Sequence, residues 1–200
     1  MNMKLINSIT PAVLAAAIAL SGCNKKFEDY EKNPNRPESV SPDLVFRGVA
    51  YDMNQDDPWN DITRWNQFDC CNYNYYGDQR YDWGSANLNY STLLNVVKME
   101  EEALAGGMAT LNPYAAIGKF QRAFFFYRMT NLVGDVPMNE ALKGTEIVTP
   151  VYDKQKDIFI QILKWLDDSN TELTQLIASG DRLLDGDIYY ENKLSKWQKA

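Results

Sequence analysis

At two points in the body of this chain a small polar residue before a proline opens directly onto a run of helically spaced apolar side chains. The pairs are Ser41-Pro42 and Asn112-Pro113. A capping side chain satisfies amide donors left open at a helix start, and proline in the first turn forfeits no helical hydrogen bond. Both points therefore define helix beginnings. The first helix is predicted from Pro42 to about Gln55, with Leu44, Val45, Gly48, Val49 and Met53 on its inner side and Asp56-Asp57-Pro58 stopping it. The other opens at Asn112-Pro113, runs from Tyr114 to about Leu132 and breaks at Gly134-Asp135-Val136-Pro137. It mixes Ala115, Ala116, Gly118 and Ala123 with Phe120, Phe124, Phe125, Phe126 and Tyr127, a combination in which large knobs fill small holes between close helices.

Three further segments share the helical period. Leu93, Val96, Val97, Glu100 and Leu104 place a helix between Ala86 and Ala105, ended by Gly106-Gly107. Ile158, Phe159, Ile162, Leu163, Leu166, Leu173, Leu176 and Ile177 predict a long amphipathic helix from a cap at Asp153 to about Ser179-Gly180. Ser195-Lys196-Trp197-Gln198 starts another pattern, which stops at Ala200 without a C-cap. Trp165 and Trp197 fall inside helical patterns and read as packing residues. The fold class is all-α, with paired antiparallel helices and long polar connections.

The amino terminus has a different character. Pro11 to Leu20 is almost wholly apolar, about half of the ~20 residues that span a bilayer. With Lys4 ahead and Leu20-Ser21-Gly22-Cys23 behind, residues 1–22 read as a lipoprotein signal peptide, with Cys23 as the acylated residue. Two or more acyl chains make such an anchor durable. Residues 23–40 are charged and contain Pro34 and Pro37, as a tether would. The remaining residues, 41–200, suffice for one domain with a sizeable core.

Composition removes several function classes. No histidine is present, so Ser-His-Asp chemistry and histidine-based zinc sites are excluded within these residues. Net charge is −7 with no basic run, which argues against nucleic-acid binding and leaves membrane contact to the lipid alone. Apart from Cys23 only the neighbours Cys70-Cys71 remain, either two buried thiols or a strained vicinal disulfide. No cofactor or metal is called for. Asp185-Gly186-Asp187 has the residue types of a calcium turn without the wider spacing of a dedicated loop, and reads as a turn.

The candidate binding residues lie between 59 and 83. A sugar ring needs a flat apolar face against its C–H side and amides or carboxylates for its hydroxyls. Trp59 with Asn60, and Trp65 with Asn66 and Gln67, supply both, and Tyr73, Tyr75, Tyr76, Tyr81 and Trp83 follow closely. The competing reading makes these aromatics core or interface residues. Asp56-Asp57, Glu100-Glu101-Glu102 and Asp167-Asp168 keep a glycoside hydrolase open as the alternative, since glycosidases work with two facing carboxyls.

Several stretches in order resemble the SusD/RagB-like outer-membrane lipoproteins of Bacteroidota. They are the lipobox Cys23, Asn33-Pro34-Asn35-Arg36-Pro37 leading to Ser41-Pro42, and the helix Ala116 to Tyr127 ending in Gly134-Asp135-Val136-Pro137. Val151-Tyr152-Asp153-Lys154-Gln155 and Asp187-Ile188-Tyr189-Tyr190 with Lys196-Trp197 complete the set. The resemblance implies tetratricopeptide-like helical hairpins, with 41–200 as the N-terminal part of a longer helical domain. It implies a non-catalytic lipoprotein at the outer membrane, facing the cell surface, that binds an oligosaccharide or other small nutrient. Delivery to a SusC-like TonB-dependent transporter is the implied partnership. It also carries over the early loop region as the place of ligand aromatics, without matching individual positions.

Overall fold

The computed structural model describes residues 39–54, 86, 88–180, 182 and 186–200. Cys23, the signal-peptide and most of the tether assignments, Cys70-Cys71 and all ten candidate binding residues lie outside them. Five helices are described: α1 Pro42–Met53, α2 Tyr90–Ala105, α3 Pro113–Val133, α4 Gln155–Ala178 and the single turn α5 Leu194–Trp197. All belong to one compact unit, Val40–Ala200. Among the described residues there is no strand, only an isolated antiparallel bridge between Val136 and Asp153. No described helix is long and apolar enough to cross a membrane.

Some helix ends form as expected and others do not: Ser41 stands at the cap position of α1 but makes no capping bond, its hydroxyl donating to the Asp43 carboxylate, and α2 starts at Tyr90 instead of Ala86. The Asn112 side chain accepts a hydrogen bond from the Ala115 amide at 2.9 Å, with Pro113 at the head of α3. At the end of α2, Gly107 takes φ +87°, the Gly107 amide reaches the Leu104 carbonyl at 3.0 Å and the Met108 amide reaches that of Ala103 at 3.0 Å. That pair of bonds is a Schellman closure, which needs a residue tolerant of positive φ where Gly107 stands.

Neighbouring helices run antiparallel. Thr92 Oγ1 at the start of α2 donates to Asp52 Oδ2 near the end of α1 at 2.5 Å. Tyr90 of α2 meets Phe126 of α3 with ring centroids 6.4 Å apart, while Arg122 of α3 pairs with Glu100 further along α2. Ser169 of α4 donates to the Ala116 carbonyl of α3 at 2.8 Å, and Gln155 at the other end of α4 donates to the Thr130 carbonyl at 2.7 Å. α3 therefore packs on both sides, which explains why Tyr114, Ala116, Ile117, Gln121, Ala123, Phe125, Phe126 and Met129 are all buried around it.

Two inner faces differ from the sequence reading. In α1 the buried residues are Phe46, Val49 and Ala50, whereas Leu44 is 55% exposed and Gly48 is exposed. The large Phe46 sets the rotation by seating its ring against Tyr114 and Trp197, 6.0 and 5.6 Å away. In α4, Ile158, Ile162, Leu173 and Leu176 are buried with the small Ser169 between them, but Leu163 is 66% and Leu166 39% exposed. Asp153 does not cap α4. Lys154 holds the cap position, and the Gln155 amide is instead met by Asp135 Oδ1 at 2.9 Å.

Candidate functional site

The alternating helices bring the end of α1, the start of α2 and the α3–α4 connection to one end of the bundle. The chain leaves α1 after Met53 and returns at the start of α2, so the segment holding the candidate aromatics begins and ends there. The α3–α4 connection, 134–154, lies at the same end, where Tyr90 Oη of α2 donates to the Pro137 carbonyl at 2.6 Å. Exposed apolar side chains gather on that connection and the adjoining helix ends: Tyr51 of α1, Leu132 and Val133 of α3, then Val148, Val151 and Tyr152, the last 71% exposed.

The two stretches that frame this connection hold each other. The Asp153 amide donates to the Val136 carbonyl at 3.1 Å. The Asp153 carboxylate accepts from the Met138 amide at 2.7 Å, the Asn139 amide at 2.9 Å and Asn139 Nδ2 at 2.6 Å. Thr130 Oγ1 closes the end of α3 by donating to the Gly134 carbonyl at 2.7 Å, and Gly134 sits at φ +82°. Burial works against the charged Asp153 carboxylate, yet its hydrogen bonds from Asn139 and Met138 prevail and hold its pKa below the ordinary value. Tyr90 goes the other way. Burial, followed by the nearby Tyr152 and Asp153, pushes its hydroxyl up to about 12, so it remains a donor.

A second carboxylate organises the opposite end. Asp187 Oδ1 accepts from the amides of Tyr189 and Tyr190 at 2.9 and 3.1 Å, while Oδ2 accepts from the Asn192 amide and Trp197 Nε1, each at 3.0 Å. Four donors leave this carboxylate engaged with its own chain, as a turn requires and unlike an open cation ligand. Trp197 is 3% exposed and packs against Phe46, Phe120, Tyr189 and Tyr190. Trp165 lies against Phe126 at 5.6 Å. Both tryptophans are packing residues, as their helical positions indicated.

The remaining carboxylates are scattered. Glu100 is drawn between α2 and α3, where Arg122 Nη2 donates to its Oε2 at 2.5 Å. Burial raises its pKa despite Arg122 and Lys119, with Glu172 adding to the rise. Glu101 pairs with Lys98 at 2.5 Å on the surface, and Asp167 is exposed. Among the described residues no group of three or more histidine, cysteine or acidic side chains could hold a metal.

The family of starch-binding proteins associating with the outer membrane, SusD-like, matches residues 34–200. The chain belongs to the SusD-like family. Solved structures agree. An outer-membrane protein of Bacteroides vulgatus, described as involved in nutrient binding, is 30% identical with a TM-score of 0.62, matched over 80% of this chain and 34% of its own. A SusD homolog from Bacteroides fragilis is 31% identical with a TM-score of 0.61, covering 80% of this chain and 33% of that one. A SusD/RagB family protein from Bacteroides thetaiotaomicron, 22% identical with a TM-score of 0.62, shares the fold over 80% of this chain. The SusD-like chain described here thus spans about a third of the length of these structures. No curated protein matches it. Family membership supports the all-α hairpin architecture.

Proposed function

We propose that this SusD-like chain is part of a non-catalytic surface lipoprotein, anchored through Cys23, that binds a glycan and hands it to a SusC-like TonB-dependent transporter. The observation that supports this most is the family match over 34–200, a family described as starch-binding and associating with the outer membrane. The segment 59–83 adds stacking faces and amides in the combination that sugar rings need. Trp59, Asn60, Trp65, Asn66, Gln67, Tyr73, Tyr75, Tyr76, Tyr81 and Trp83 are the candidate contacts.

The chemistry of the described carboxylates favours binding over hydrolysis. A glycosidase sets two carboxyls across one bond at about 5–10 Å, one of them ready to give a proton. Here Glu100 is tied to Arg122, Asp187 to four donors and Asp153 to three.

Affinity electrophoresis of the chain through gels containing starch and other polysaccharides tests the reading. Retardation by at least one polysaccharide is expected, and Trp59→Ala with Trp65→Ala should weaken it about tenfold or more, as for buried aromatic anchors. Retardation that both substitutions leave untouched, or release of reducing sugar, would overturn it. For the anchor, Cys23→Ala should move the protein from the membrane to the soluble fraction.

A further inference from the structure

Helix α3 contains a single glycine, Gly118, and it faces α2. A Cβ at that position would collide with Glu100 Oε1, so the Glu100 carboxylate fills the place that any other residue type would take with its own side chain. Four residues further along α3, on the same face, Arg122 Nη2 donates to Glu100 Oε2 at 2.5 Å. Glu100 therefore asks two things of its partner helix in a set order: bare backbone, then a guanidinium one turn on. Along α3 that combination occurs once.

The rest of the α2 inner face is far less selective. It buries Leu93, Val96, Met99 and Ala103, apolar side chains that recur at steps of three and four. Sliding α2 along α3 by one turn, about 5.4 Å, would again set apolar against apolar, at a cost in shape alone. Glu100 forbids it. The slide would set its carboxylate against Tyr114, which is fully buried, or against Arg122, both large where Gly118 is bare. Nor does the ion pair explain Glu100 by stability. Its side chain is 20% exposed, and burial raises its pKa despite Arg122 and Lys119. Charged pairs drawn from water stabilise little, and a buried polar group in an apolar helix seam is best attested as a device that fixes register.

We infer that Glu100, seated on Gly118 and bonded to Arg122, is a key that fixes the register of the α1–α2 hairpin against the α3–α4 hairpin. Its effect reaches the far end of α2. Tyr90 stands ten residues before Glu100, about 15 Å along the helix, and donates to the Pro137 carbonyl at 2.6 Å. A slip of one turn would part them, together with the Tyr90–Phe126 ring contact at 6.4 Å.

Glu100→Met in the whole chain tests this, since methionine keeps the length of the side chain and has no need of Arg122. The Tm should stay within about 5 °C of the unsubstituted chain or rise. The amide NMR signals of α2 and α3 should double or broaden, and the Tyr90–Phe126 cross-peak should lose at least half its intensity. One sharp set of signals with that cross-peak intact would overturn the inference. So would a larger fall in Tm or a failure to fold, because Glu100 would then stabilise the seam instead of selecting its register. Glu100→Gln keeps the shape and an acceptor for Arg122, and should retain a single set of signals. Doubling in that variant too would tie the effect to any change at position 100 and would equally sink the key.

Discussion

Asp153 and Glu100 are both carboxylates drawn into the same bundle, and they titrate in opposite directions. Asp153 sits at the α3–α4 corner with three donors on its two oxygens, and its pKa lies below the ordinary 3.8. Glu100 sits between α2 and α3 with Arg122 on one oxygen and no protein partner on the other, and its pKa lies above the ordinary 4.5. Burial opposes charge in both. What separates them is that Glu100 lies much deeper, so burial outweighs Arg122, while at the shallower Asp153 three donors, two of them backbone amides of the corner, outweigh it. An opposite charge alone does not guarantee a depressed pKa.

The strongest way to break this contrast is to delete the corner carboxylate. Asp153→Ala removes the acceptor of three hydrogen bonds and should cost about 2–3 kcal/mol in urea denaturation, given the worth of bonds to a charged group and their incomplete additivity. A change below about 0.5 kcal/mol would reduce the corner to surface decoration.

The pH dependence sharpens the contrast, since the two signs differ. Asp153, with its lowered folded pKa, contributes stability that is present above its ordinary pKa of 3.8 and is lost as pH falls through the folded value. Glu100, with its raised folded pKa, contributes stability present below 4.5 and lost as pH rises through the folded value. Thermal melts from pH 3 to 8 should therefore show the Asp153→Ala penalty shrinking in acid. Relative to the unsubstituted chain, Glu100→Gln should gain stability as pH rises from about 4 toward neutrality. Parallel pH curves for the two variants would mean that depth and donors do not separate them.

Gly118→Ala probes the cause of the Glu100 shift. The added methyl group displaces the Glu100 carboxylate toward water, while alanine improves the helix by about 1 kcal/mol. The net stability change should stay within about 1 kcal/mol, but the Glu100 contribution to the pH curve should vanish. Persistence of that contribution would show that burial against α3 is not its source. The smallest effect belongs to Lys98–Glu101, whose side chains are 57% and 56% exposed. Lys98→Ala should change stability by no more than about 0.5 kcal/mol.

Much of this fold was legible locally. Asn112-Pro113 and Gly107 act through their own side chains or their own backbone freedom, so their roles could be read one position at a time. Trp197 was placed correctly because a tryptophan within a helical pattern seeks burial. The rotation of α1 was misread because Phe46 answers to Tyr114 and Trp197, residues far along the chain. Asp153 was misread as a cap for a related reason. Its spacing before α4 suits capping, but amides at Met138 and Asn139 compete for the same oxygens. The candidate binding residues at 59–83 were chosen on composition, and the structure adds that the segment's two ends, at α1 and α2, share one end of the bundle with the 134–154 connection.

The sequence by itself determined that this chain is helical, where most of its helices stop, that Asn112-Pro113 starts one, and that it is SusD-like, because caps, breakers and ordered short stretches act or recur locally. Only the tertiary structure decided what those stretches do. Gly134 to Pro137 and Val151 to Gln155 brace one corner because the donors to Asp153 come from 14 to 15 residues away and Asp135 meets the Gln155 amide 20 residues on, whereas Asp187 is held mostly by its own turn and reaches out only to Trp197.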